Sequence, residues 1–119
     1  MPYLRLLEQL LASVPGALAA LLLDQNGEVV VDAGPQVDRQ RHRLIGAYQG
    51  IALAAARRGI ARHEVGAIGS IVCRYAFATI ILKPLRDGYY LLLALAPTAS
   101  LGRGLHFSAE IGVELDAEL

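Results

Sequence analysis

Two short stretches, residues 17–23 and 89–96, are apolar at odd and even positions alike. A strand with one wet face alternates apolar and polar residues, so a strand apolar on both faces is covered from both sides. Each stretch is strand-sized, well short of the roughly 20 continuous apolar residues of a spanning helix. The chain must therefore place cover on both faces of a sheet. The supply of apolar residues fits this demand and exceeds it. Of 119 residues 55% are hydrophobic, and the mean hydropathy is +0.43. A domain this small cannot hide so much apolar surface by itself. With membrane spans excluded by length, self-association is the expected outlet. Arg5 and Glu8 interrupt the N-terminal apolar pattern, so no secretion signal is expected there.

The remaining segments supply the cover. Residues 3–13 carry Leu4, Leu7, Leu10 and Leu11 at helical spacing, and Pro15-Gly16 ends that helix. Asp24-Gln25-Asn26-Gly27 makes a hairpin turn into a short acid-flanked edge strand at 28–32. Asp38 precedes a long helix over 39–58, with Gly59 as its expected C-terminal stop. Strands are expected at 66–74, 77–83 and 89–96, the last two joined by Arg86-Asp87-Gly88. Thr98 or Ser100 caps a final helix. Its apolar side is expected to hold Leu101, Leu105, Ala109, Gly112 and Leu115, with Glu110, Glu114 and Glu118 on another side. Phe107 falls off that apolar stripe, either as an exposed anchor or because the helix begins later. The fold class is α/β in the α+β sense. One five-stranded, mainly antiparallel sheet carries helices on both faces, in the order α-β-β-α-β-β-β-α, as one domain over 1–119.

This order and its punctuation resemble the roadblock family, which includes dynein light chains, bacterial MglB-like gliding-motility regulators and lysosomal scaffold subunits. The resemblance rests on Val14-Pro15-Gly16-Ala17, Asp24-Gln25-Asn26-Gly27, the long small-residue helix, the run from Arg86 to Leu93, and Ser100-Leu101-Gly102-Arg103. It covers nearly the whole chain. It implies a roadblock/longin/profilin-like fold, and pairing about a two-fold axis with middle helices side by side and third strands joined. It also implies a platform for small Ras-like GTPases that either stimulates hydrolysis or only tethers; the single cysteine and the lack of a catalytic constellation make a cytoplasmic, non-enzymatic protein the expectation.

The middle helix carries the candidate site. Gly46, Gly50 and Ala54 recur every four residues, and Leu44, Tyr48, Ile51 and Ala55 form a bulkier stripe. Glycine inside a helix costs about 0.8–1 kcal/mol relative to alanine, so two on one stripe suggest a close backbone approach. A helix apolar on two sides needs two partners, here the chain's own sheet and a second copy. The alternative is that the glycines pack on the chain's own sheet. The expected dimer interface is Gly46, Ala47, Gly50, Leu53, Ala54, Ile71 and Cys73.

Six of the eleven basic residues lie between 39 and 62, a span without an internal acid. Arg39, Arg43, Arg57, Arg58 and Arg62 are the candidate partner-binding set; the competing reading is a solvated basic surface. Net charge is zero, which argues against a nucleic-acid binder. One cysteine, Cys73, excludes an internal disulfide and a cysteine-rich zinc site. It reads as a small buried apolar residue, or as a thiol near its two-fold copy. His42, His63 and His106 show no ligand spacing. Gly66-Ala67-Ile68-Gly69-Ser70 lacks the lysine of a phosphate-binding loop. No metal, cofactor or catalytic residue is expected. A second functional reading is a small-ligand sensor, which requires a pocket with converging polar groups. Ser70, Thr79, Tyr89 and Tyr90 are the few polar groups that the strands offer it.

Overall fold

The computed structural model describes residues 2–34, 38–60 and 69–119, with side chains in the 38–60 segment described at 43–55 and 57. Among the described residues three α-helices and five strands run in the order α1 (Pro2–Ser13), β1 (Ala17–Leu23), β2 (Val29–Ala33), α2 (Asp38–Ile60), β3 (Ile71–Arg74), β4 (Thr79–Pro84), β5 (Tyr90–Leu95) and α3 (Leu101–Glu118). The strands form one sheet in the spatial order β2-β1-β5-β4-β3, and every pair is antiparallel. The two strands apolar on both faces are therefore neighbours at the centre, with Leu21 opposite Leu92 and Leu22 opposite Leu91.

Each face of these strands has its own core. Leu22, Leu91, Leu93 and Leu95 point to the side covered by α1 and α3, where Leu7, Leu10, Ile111 and Leu115 meet them. Leu21, Leu23, Leu92 and Ala94 point to the other side, where α2 contributes Tyr48, Ala52 and Ala55. Burying a leucine fully is worth about 1.5–3 kcal/mol, and Leu21, Leu22, Leu91, Leu92, Leu93 and Leu95 are all fully buried. Loss of α2 would expose Leu21 and Leu92, and loss of α1 and α3 would expose the other four.

Turn chemistry sets the hairpins. The Asp24 carboxylate accepts from the backbone N–H groups of Asn26 (2.9 Å) and Glu28 (3.0 Å). Gly27 alone takes the left-handed conformation there, at φ 79°. At the β4–β5 turn both Asp87 and Gly88 have positive φ. Ser100 is the cap of α3, its hydroxyl accepting from the Arg103 N–H at 3.1 Å.

Several boundaries differ from the sequence reading. The third strand occupies only Ile71–Arg74 of the expected 66–74; residues 66–68 lie outside the described residues. The fourth begins at Thr79 rather than 77, because the Tyr75 N–H bonds to the Ala78 carbonyl (2.9 Å) and closes a tight turn. The middle helix continues through Gly59 to Ile60.

On α3 the buried side is Gly104, Ser108, Ile111, Gly112 and Leu115. Ala109 is exposed and Leu105 only half-buried, so the expected apolar stripe was rotated. The reason is that α3 packs against β4 and β5 through Gly104: a Cβ there would stand 2.8 Å from both Ile81 Cδ1 and Leu95 Cδ1. The small residue lets the helix lie close to the sheet. This rotation also brings Phe107 against the α1–α3 core, half-buried, which removes its reading as an exposed anchor.

The Gly104 contact makes a testable demand. Gly104→Val should lower stability by about 1–3 kcal/mol through overpacking. Urea unfolding should show a lower midpoint at an unchanged slope.

Candidate functional site

The outer side of α2 is built by the same periodicity that buries its inner side. Residues about 100° apart around a helix place Tyr48, Ala52 and Ala55 on the sheet, with Ile45 and Ile51 partly buried beside them. Burial pushes the Tyr48 phenol above its usual pKa, because a phenolate would be poorly solvated there, so this side stays neutral at ordinary pH. Gly46 and Gly50 lie on the opposite side and are exposed. A Cβ built on either would meet nothing within 4 Å. The chain's own sheet thus makes no use of these glycines, and the alternative that they pack on it fails. Arg43 and Arg57 flank the bare stretch and are also exposed.

The two flanks of α2 differ. On one, Gln49 Nε2 donates to the Gly27 carbonyl at 2.6 Å, and Leu53 occupies the space that a Gly27 Cβ would need. These contacts clamp the β1–β2 turn to the helix. Gly27 is required twice over, by its positive φ and by Leu53. Helical geometry puts Leu44, Ala47, Ile51 and Ala54 on the opposite flank, where α2 borders β3. Leu44, Ala47 and Ala54 are exposed there.

β3 is a sheet edge. Ile71 and Cys73 are half-buried beside the α2-side core. Val72 and Arg74 are exposed. The Tyr75–Ala78 bond fixes the alternation along this hairpin, so Ile71 and Cys73 bond to β4 while Val72 and Arg74 direct their backbone groups outward. Among the described residues nothing pairs with that outer edge. The exposed flank of α2 and the open edge of β3 lie on the same side of the molecule.

Of the residues singled out in the sequence, Gly46, Ala47, Gly50 and Ala54 share the exposed half of α2, and Ile71 and Cys73 lie on the adjoining strand. Leu53 turns to the other flank. Arg43 and Arg57 are solvent-facing and have no ionic partner among the described residues. Arg39 and Arg58 lie on α2, with side chains outside the description, and Arg62 lies outside the described residues. His106 stands 3.3 Å from Glu110 on the exposed side of α3. Among the described residues no three metal-ligating side chains come together. No described helix is long and apolar enough to cross a membrane.

Solved structures place this arrangement. MglC from Myxococcus xanthus is similar over 100% of both chains, with a TM-score of 0.80 and 20% identity. A Roadblock/LC7 domain from Streptomyces avermitilis is similar over 96% of this chain and 94% of its own, with a TM-score of 0.75 and 18% identity. The fold is that of roadblock domains. Myxococcus xanthus MglB is similar over 96% of this chain and 91% of its own, at a TM-score of 0.74 and 17% identity. The roadblock architecture extends to a profilin, LokiProfilin1 in complex with rabbit actin, at a TM-score of 0.64 and 11% identity. No family model and no curated protein matches the sequence.

The clamp formed by Gln49, Leu53 and the Asp24–Gly27 turn was not legible in the sequence as a functional feature. Its signals were ordinary ones, an Asx turn and a polar residue in mid-helix.

The open glycines give a direct expectation. Replacing both Gly46 and Gly50 by Ala should raise stability by about 1.6–2 kcal/mol, the sum of two interior glycine costs. Urea unfolding at fixed protein concentration measures it. A decrease would mean that these glycines already lie against another chain.

Proposed function

We propose that this chain is a non-catalytic cytoplasmic platform, which pairs with a second copy of itself and holds a small Ras-like GTPase over the paired α2 helices. The observation that carries the reading is the outer side of α2. It is bare at Gly46 and Gly50, flanked by Arg43 and Arg57, and left uncovered by the chain's own sheet. Interior glycines disfavour a helix, and here no contact among the described residues offsets that cost.

In this reading the two copies meet along the flank of Leu44, Ala47, Ile51 and Ala54 and along the outer edge of β3. Small side chains on that flank allow close helix approach, and the open backbone groups of Val72 and Arg74 gain partners across the joined strands. The Gly46–Gly50 crest then faces outward from both copies. A GTPase backbone comes close over the glycines, while its acidic side chains meet Arg43 and Arg57. The roadblock fold supports the reading, as do MglC and MglB among similar structures, one of them a gliding protein mglB from Thermus thermophilus. One similar structure is an MglB with a tetrameric arrangement, which favours self-association for this chain too.

The test is a binding titration with purified Ras-like GTPases of the same organism, loaded with a non-hydrolysable GTP analogue. One of them should bind the wild-type chain. Binding should weaken at least tenfold in the Arg43→Glu/Arg57→Glu variant, and also as salt rises through the screening range. Failure of every such GTPase to bind, or binding indifferent to both arginines, would contradict the platform reading. With the GTPase in hand, Arg57→Ala should leave any stimulated hydrolysis within a few-fold of wild type. A loss of about a thousandfold or more would instead identify Arg57 as an arginine finger.

A further inference from the structure

The clamped flank of α2 encloses a cleft that the platform reading does not use. It lies between the β1–β2 turn, the C-terminal half of α2 and the start of β5, and its volume is about 340 Å³. That is at the small end of the range for small-molecule pockets. Leu23, Ala52 and Leu53 give it an apolar floor, and Tyr90 forms one wall. At the rim stand Gln25, Asn26 and Arg57.

The rim has three relevant properties. Among the described residues Arg57 is the only charged group that lines the cleft, and none of them is an ionic partner to it. Gln25 and Asn26 contribute neutral side-chain amides that make no hydrogen bond among the described residues. The walls are held in place before any ligand arrives. Gln49 ties the Gly27 carbonyl to α2, Asp24 ties the turn to itself, and Gly88 packs so close to Gln25 that a Cβ there would stand 2.9 Å from the Gln25 Cβ.

We infer that this cleft is a binding site for a small carboxylate with a compact apolar body. The apolar part lies on Leu23, Ala52 and Leu53, and the carboxylate faces the Arg57 guanidinium, whose planar fork suits two parallel hydrogen bonds to it. The Gln25 and Asn26 amides supply further donors or accept from a ligand hydroxyl or amine. Among the described lining residues Arg57 is a single cation, which favours a singly charged anion. The apolar floor selects against a bare inorganic one, which would leave it uncovered. This site gives the chain a ligand-sensing function beside its platform. The cleft, on the flank away from the β3 edge, shares only Arg57 with the proposed GTPase contacts. A ligand there would bridge the turn, β5 and α2, the helix that carries the platform.

The experiment is a titration of the ¹⁵N-labelled full chain by NMR, with benzoate as probe and benzamide and inorganic phosphate as controls. Benzoate should shift the amides of residues 23–27, 52–57 and 90, with a Kd on the order of 1 mM, as befits so small a ligand. Benzamide and phosphate should each bind about tenfold more weakly, the first lacking the charge and the second the apolar body. Arg57→Gln, a change at an exposed position, should weaken benzoate to the benzamide level without shifting the rest of the spectrum. No localised shift with benzoate at about ten times that concentration would overturn the site. Equal binding of benzamide would overturn the role of Arg57, and equal binding of phosphate would overturn the apolar subsite. None of these readings depends on whether a GTPase binds.

Discussion

Two-sided burial of β1 and β5 is the constraint on which the other features rest. These strands carry leucines toward both faces and lie side by side at the centre of the sheet. Each face must be sealed by a separate helical layer, because a leucine left open would forfeit a few kcal/mol. α1 and α3 together cover one face. Among the described residues α2 alone covers the other, and one helix is narrower than a five-stranded sheet. The strand farthest from the centre on that side, β3, therefore keeps Ile71 and Cys73 only half-buried. The same shortage of cover that exposes this edge also leaves one flank of α2 exposed beside it.

The helix α2 is accordingly divided into sectors with different tasks. Tyr48, Ala52 and Ala55 seal the sheet. Gln49 and Leu53 hold the β1–β2 turn, and Leu53 lines the cleft. Leu44, Ala47 and Ala54 line the open flank, and Gly46 and Gly50 form the crest. The glycine cost falls on the crest, where none of the described residues packs against it. A cost of this size within a marginal folding balance is most simply explained by a surface that something else approaches closely. Arg43 and Arg57 give that surface its charge, and the neutral Tyr48 beneath it adds none.

Much of this was legible in the sequence, for physical reasons that differ from element to element. β1 was readable to the residue because Pro15-Gly16 and Asp24-Gln25-Asn26-Gly27 punctuate an unbroken apolar run. The topology followed from two hairpin turns separated by a helix too long for a turn. The outward placement of Gly46 and Gly50 was readable because mid-helix glycines are unfavourable unless a close approach compensates. The facing of α3 was misjudged because hydropathy alone cannot show that Gly104 and Ser108 are buried; only the close contact with Ile81 and Leu95 does. Leu53 was grouped with the outer row because its helical angle is near that of the glycines. The neighbouring turn, joined by a contact 26 residues away in sequence, draws it to the other flank. The cleft could not be read at all, since its walls come from three separated segments.

The central claim is that the open flank of α2 and the open edge of β3 are covered by a second copy of the chain. The most direct measurement is solution mass by light scattering over a dilution series, on the wild type and on the Ala47→Glu/Ala54→Glu variant. Both positions are exposed, so the variant should fold. The account predicts a wild-type mass of twice the 12.7 kDa chain, held down to low micromolar concentration, and a folded monomer for the variant. A wild-type chain that is folded and monomeric at every concentration would contradict it.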